Sequence, residues 1–248
     1  MVKADIDQLF KEPYINVLCY PKATRKELEK RLRELQKLGI TELELTGEKQ
    51  FLNTRILGKG CVGLVILAHR KTGVMALKIR RTDADRTSML HEGKLLQMAN
   101  AVQVGPKFVA ATKNFLAMQF IQGELLPQWL EKNVGKPRLR KILRDLLEQC
   151  WKLDEIRLDH GELSHAPKHV IVDENDKVFI VDFETASTDR RPSNVTSISQ
   201  FLFLSEFSPS ITRKIGPRDK KLVIDSLRCY KHDINHDNVL RVMESCGL

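Results

Sequence analysis

Leu28, Leu32, Leu35 and Leu38 recur at helical spacing through a stretch that is otherwise almost wholly charged. Thr24 precedes them as an N-cap, whose hydroxyl can satisfy a free first-turn amide, and Gly39 follows as a stop. The pattern predicts a helix over 24–38 with one apolar face. That face needs cover, from the segment that follows, from another protein, or as part of a small nucleic-acid-binding module. Further on the period changes. Residues 65–69 and 74–79 are short aliphatic runs around the turn Arg70-Lys71-Thr72-Gly73, and they predict a hairpin preceded by a strand near Lys49. A helix over 85–100 carries Met89, Leu95, Leu96 and Met98 on one stripe, and strands follow at 107–111 and 115–119. The longest helical signal covers 138–158, where Leu139, Ile142, Leu143, Leu146, Leu147, Cys150 and Trp151 share a face. Apolar runs then flank the turn Asp173-Glu174-Asn175-Asp176, and helical segments lie near 193–207, 217–230 and 235–246.

These elements sum to an α+β fold of two lobes: a five-stranded small lobe with one helix and a compact, mainly helical large lobe, preceded by an N-terminal helical extension. The expected boundaries are residues 1–47, 48–120 and 121–248, with 118–123 as the hinge. At 248 residues the chain can bury a sizeable core. No apolar run approaches a membrane span, and the first residues lack the features of a signal peptide, so the expectation is a cytoplasmic protein with no membrane partner. Cys19, Cys61, Cys150, Cys229 and Cys246 are odd in number and scattered, which suggests neither a disulfide framework nor a zinc ribbon.

The net charge of +9 implies an anionic partner, whether nucleotide, RNA or ribonucleoprotein, or acidic protein. The richest basic stretch, 22–37, also holds Glu27, Glu29 and Glu34, so a solvated helix laced with i,i+4 pairs accounts for it better than a nucleic-acid arm. Few aromatics interleave with these charges, which counts against a base-stacking platform.

Gly58-Lys59-Gly60-Cys61-Val62-Gly63-Leu64-Val65 runs into a strand rather than a helix. A dinucleotide-binding reading of G-x-G-x-x-G needs the helix, so that reading fails. A glycine-rich hairpin followed by Val74-Met75-Ala76-Leu77-Lys78-Ile79 is instead the phosphate clamp of protein kinases. Gly58, Gly60 and Gly63 would let backbone amides approach a triphosphate. Val65 would cap the adenine, with Met118 and Phe120 at the hinge holding it. Lys78 would place the α and β phosphates, and Glu92 would hold its ammonium.

His160-Gly161-Glu162-Leu163-Ser164 and Val178-Phe179-Ile180-Val181-Asp182-Phe183-Glu184 look like the catalytic loop and the metal motif of kinases. On these residues the chain resembles the compact archaeal kinase-like proteins related to the Bud32 and Rio families, a divergent group of predicted serine/threonine protein kinases, over residues 50–205. The resemblance implies a protein-kinase-like fold that uses ATP and Mg2+ to phosphorylate Ser or Thr hydroxyls of a protein substrate, its own included. The alternatives are a small-molecule kinase and a nucleotide-binding scaffold or ATPase-like switch in an RNA-protein assembly.

By this resemblance Glu162 stands for the catalytic aspartate and would orient the acceptor hydroxyl, Lys168 would contact the γ-phosphate, and Asp182 would hold magnesium. His169 stands where the pattern has asparagine, and its nitrogen is a poor substitute for an oxygen ligand of a hard cation. Glu184 replaces the motif's glycine, and its carboxylate would partly compensate. His160 is expected to brace the backbone of the metal motif. His165 and His169 are spaced like helical zinc ligands, but Pro167 between them argues against an ordinary helix. Only residues 183–192 separate Asp182 from the next expected helix, so a long activation loop is absent. Lys78 and Glu92 from the small lobe, and Glu162 and Asp182 from the large one, are expected to act on one triphosphate.

Overall fold

A computed structural model describes residues 2–248. Two compact units divide the chain, one comprising the residues up to Gln97 together with Lys107–Phe120, the other Met98–Pro106 together with Ile121–Leu248.

In chain order the first unit holds β1 (Val2–Asp5), α1 (Tyr14–Leu18), α2 (Arg25–Lys37), β2 (Glu42–Leu45), β3 (Lys49–Phe51), β4 (Thr54–Ile56), β5 (Gly58–Lys59), β6 (Gly63–Arg70) and β7 (Gly73–Arg80). α3 (Leu90–Ala101), β8 (Phe108–Ala111) and β9 (Phe115–Gln119) follow. One sheet runs in the order β1-β2-β6-β7-β9-β8, with β5 paired to β6, while β3 and β4 form a hairpin of their own. The sheet therefore has seven strands where the sequence reading has five.

The two additional outer strands come from the extension, which holds two strands, β1 and β2, beside the helices α1 and α2 rather than being helical alone. β2 alternates polar and apolar residues but is only four residues long. In Glu42-Leu43-Glu44-Leu45 the two leucines are buried, but so is Glu44, whose Oε2 meets His69 Nε2 at 2.7 Å and Lys3 Nζ at 3.3 Å. α2 forms as its sequence dictates. Thr24 Oγ1 accepts from the Glu27 amide at 3.2 Å, and Gly39 takes the left-handed conformation at φ 68° that ends the helix. Leu28, Leu32 and Leu35 are buried in one core with Leu43, Leu45, Ile66 and Ala68, so the unit's own sheet covers the apolar face. α3 starts at Leu90 rather than at residue 85. The preceding residues are committed to other contacts: Arg81 forks onto Asp83, Thr82 donates its amide to the distant Tyr20 carbonyl, and Ser88 Oγ accepts from the Leu90 amide.

The second unit holds β10 (Gly123–Leu125), α4 (Leu126–Glu131), α5 (Lys136–Glu155), β11 (Val170–Asp173), β12 (Val178–Ile180), α6 (Asn194–Ser199), α7 (Ser208–Ile215), α8 (Lys220–His232) and α9 (His236–Ser245). α5 organises it. Leu139, Ile142, Leu143, Leu146, Leu147 and Cys150 are fully buried, while Trp151 sits at the margin with its ring 4.4 Å from that of His236. Asp173 Oδ1 shapes the β11–β12 turn by accepting from the Asn175 and Lys177 amides. The helix expected over 193–207 breaks into α6 and a π-helical turn, Gln200–Leu204, before α7. Among the described residues no helix is long and apolar enough to cross a membrane.

Candidate functional site

The candidate residues fall into two sets, one in each unit. In the first, β6 and β7 pair so that Val65 lies opposite Lys78, and β7 pairs with β9 so that Ala76 lies opposite Met118. Directly opposed residues project from the same side of an antiparallel sheet, and alternate residues share a face. Val65, Ala76, Lys78 and Met118 therefore share one face. Phe120 follows β9 as the last residue of the unit.

Glu92 meets Lys78 from the first turn of α3, with Lys78 Nζ donating to Glu92 Oε1 at 2.8 Å and both residues 3% exposed. Gly93 explains how the helix comes close enough. A Cβ there would stand 2.9 Å from Ala111 Cβ and 3.1 Å from Phe108 Cε2, so only glycine lets α3 settle on β8 with Glu92 over Lys78. The sequence reading missed this residue, because an isolated glycine in a helix carries no pattern of its own.

The glycine loop is a tight hairpin, closed by the Gly60 amide donating to the Gly63 carbonyl at 2.8 Å. Its glycines are not equivalent. A Cβ on Gly63 would press on the Ile79 carbonyl at 2.8 Å and on Lys78 Cγ at 3.2 Å, whereas one on Gly58 would make only ordinary contact with Val65 at 3.8 Å. Gly63 thus keeps space for the Lys78 stem. Cys61, at the loop tip, is an exposed free thiol.

In the second unit the loop after α5 and the loop after β12 are knotted together. Asp159 and Ser187 exchange backbone hydrogen bonds at 2.9 and 2.8 Å, and Arg190 donates to Asp159 Oδ2 at 2.9 Å and to the Thr185 carbonyl at 2.6 Å. Gly161, at φ 89°, leaves room for that arginine, since a Cβ would stand 2.6 Å from Arg190 Nη2. His160 braces the metal-motif backbone as expected. A carbonyl can only accept, so His160 Nε2 carries the proton it gives to the Val181 carbonyl at 3.0 Å.

The knot brings Glu162, His169 and Asp182 together, each offering one ligand atom within 4.8 Å of the others. His169 Nε2 lies 3.0 Å from Glu162 Oε2, which engages that ring nitrogen with the carboxylate. Asp182 holds a left-handed conformation, φ 70° and ψ 73°, uncommon for a residue with a side chain and concentrated at functional sites. Glu184, in the following single-turn helix Phe183–Thr185, stands outside this trio, and Lys168 ends exposed on the turn Leu163–Lys168.

Burial pushes the His160 imidazole down to about 4, and the neighbouring His169 adds to the shift. A histidine held neutral in the fold but protonated when unfolded costs stability as pH falls from about 6.5 towards 4, and nothing above that window. This group alone should remove about 2 kcal/mol between pH 7 and pH 5. Thermal melts at the two pH values check it: the wild type should lose more than His160→Gln does, and equal losses would remove His160 as the source.

The RIO domain profile matches residues 69–199, just over half of the chain. That span contains Lys78, Glu92, Met118, Phe120, Glu162, Lys168, His169, Asp182 and Glu184, but not the glycine loop. An uncharacterized protein of Methanocaldococcus jannaschii is 34% identical over 86 residues, 35% of this chain and 72% of that protein. The serine/threonine-protein kinase YabT of Bacillus subtilis is 29% identical over 130 residues, 46% of this chain and 38% of the kinase. The motif residues, their grouping within each unit and the extent of the profile match lead to one conclusion: the chain belongs to the RIO domain family.

Proposed function

We propose that this chain is an ATP- and Mg2+-dependent phosphotransferase of the atypical serine/threonine protein kinase kind, with its own hydroxyls among the acceptors. The observation that carries the reading is the buried Lys78–Glu92 pair at 2.8 Å. Taking two charges out of water costs several kcal/mol per ion and is often no better for stability than an apolar pair, so the arrangement calls for a functional reason. Holding an ammonium where it can receive phosphate oxygens is such a reason, and the RIO domain match supports it.

The donor set of the second unit suits a hard cation. Asp182 and Glu162 supply carboxylate oxygens within reach of each other, and His169 is better employed orienting Glu162 than ligating magnesium. Asp182 would be the principal ligand, with Glu184 contributing directly or through water. A bound magnesium ion would neutralise charge on the transferring phosphoryl group. Glu162 orients the acceptor hydroxyl and takes its proton late, with His169 fixing the carboxylate. Lys168 meets the γ-phosphate. The domain division at 48–120 and 121–248, with the adenine held by Val65, Met118 and Phe120 beneath the loop of Gly58, Gly60 and Gly63, belongs to the same proposal.

Glu162 remains partly exposed, its side chain 41% accessible, so water has access to the same carboxylate and an ATPase-like switch is the second reading. One incubation separates the readings. With γ-labelled ATP and magnesium, label should reach the protein or an added protein acceptor. Label in inorganic phosphate alone would make it an ATPase, label on a hydroxylated metabolite a small-molecule kinase, and label left on ATP would overturn the proposal.

A further inference from the structure

Two of the three acids of α2 turn away from its exposed cations. Glu27 Oε1 accepts from Arg31 Nε at 2.9 Å, and Arg31 is wholly buried, its guanidinium also donating to the Leu18 and Arg80 carbonyls and to Asn114. Glu34 is turned the same way, accepting from Thr112 Oγ1 and from the amide and side chain of Asn114 at 2.5, 2.9 and 2.6 Å. Glu29 is taken by Arg25 at 3.2 Å. What remains outside, beyond the Arg25–Glu29 pair, is an excess of positive charge. Lys26, Lys30, Arg33 and Lys37 follow the spacing i, i+4, i+7, i+11, are all exposed, and have no hydrogen-bond or ion-pair partner among the described residues.

The stripe spans about 16 Å with neighbouring cations roughly 5–6 Å apart. Four like charges along one helix face repel one another, so the arrangement works against the helix unless something anionic is bound. At the far end of α2, Arg70 and Lys71 join Gln36, Leu38 and Thr41 around a cavity of about 530 Å³, and Arg70 Nε is buried without a hydrogen-bond partner. Arg70 and Lys71 extend the positive surface beyond the end of the helix.

We propose that this face binds the sugar-phosphate backbone of a nucleic-acid duplex. The exposed positions of α2 are Arg25, Lys26, Lys30, Arg33, Gln36 and Lys37, with no aromatic to stack a base and no apolar side chain to enter a lipid surface. Backbone charge is what such a surface can read, without sequence preference. None of the four stripe cations is among the residues proposed for phosphotransfer, so the proposal does not rest on that reading.

The test is fluorescence anisotropy of the full chain with labelled RNA and DNA duplexes of mixed sequence, across a salt series from about 50 to 200 mM. The variant K26Q/K30Q/R33Q/K37Q keeps helix propensity and buries nothing new. It should bind at least about tenfold more weakly, and its salt slope should flatten by about three to four. The variant K220Q/K221Q/R228Q/K231Q removes the same charge from α8 and should bind like wild type. Equal loss with RNA and DNA assigns the contact to phosphates alone, and a larger loss with one of them names the natural duplex. No duplex binding by wild type, equal loss in both variants, or stripe-dependent binding to anionic vesicles or an acidic peptide but not to duplex would each overturn the proposal.

Discussion

Replacing Lys78 with methionine should lower ATP-driven phosphoryl transfer by roughly two to three orders of magnitude, the scale seen when one preorganised charge is removed from a developing transition state. The single change also strands the Glu92 carboxylate in a buried site, so it is best read beside the paired variant K78M/E92Q, which removes both charges and should melt like wild type. Asp182→Ala should lose as much through the metal. If the two residues serve one nucleotide, K78M/D182A should be hardly worse than the weaker single variant, because groups that act as a unit are not additive. Independent, multiplying losses would mean that the two residues do not act as a unit. Glu184→Gln belongs in the same series. It should raise the magnesium needed for nucleotide binding while leaving turnover at saturating metal, whereas Asp182→Asn should abolish the dependence; an unchanged magnesium requirement in Glu184→Gln would take Glu184 out of the metal site.

The largest stability effect is expected at Asp154, which no catalytic motif marks. Its carboxylate is buried beneath α6 and α8 and accepts from the Asn194 amide at 2.8 Å, the Asn194 side chain at 2.7 Å, the Val195 amide at 3.1 Å and the Tyr230 hydroxyl at 2.7 Å. Burial pushes the carboxyl upward and those donors pull it back down. Asp154→Ala relieves the buried charge but leaves the start of α6 and a buried tyrosine hydroxyl without an acceptor. The net cost should be about 3–5 kcal/mol. Tyr230→Phe, which removes a single donor, should cost about 1 kcal/mol. Denaturant unfolding measures both, and an Asp154→Ala loss below 1 kcal/mol would show that the network is not what ties α6 and α8 to α5.

What the sequence disclosed depended on how local the signal was. α2 and α5 were legible because a single apolar stripe defines each, and Thr24 and Gly39 mark the ends of α2. The Lys78–Glu92 contact was readable from kinase-like order alone. β1 and β2 were not, since each is only four residues long and the burial of Glu44 depends on His69 and Lys3, partners far along the chain. α2 illustrates the same limit in its charges. The expected i,i+4 pairs form, Arg25 with Glu29 and Arg31 with Glu27, but Arg31 is buried and Glu34 turns inward to Asn114, and only the folded arrangement shows Lys26, Lys30, Arg33 and Lys37 left without an acid. The knot of Asp159, Ser187 and Arg190 around the candidate metal ligands was likewise invisible, because none of the three belongs to a recognisable pattern.

What a bound nucleotide touches decides most directly whether Lys78 and Asp182 serve one triphosphate. A crystal of the full chain with a non-hydrolysable ATP analogue and magnesium should show the metal about 2.1 Å from an Asp182 carboxylate oxygen and Lys78 Nζ hydrogen-bonded to an α- or β-phosphate oxygen. A nucleotide seated away from both residues, or no nucleotide at millimolar concentration, would contradict it.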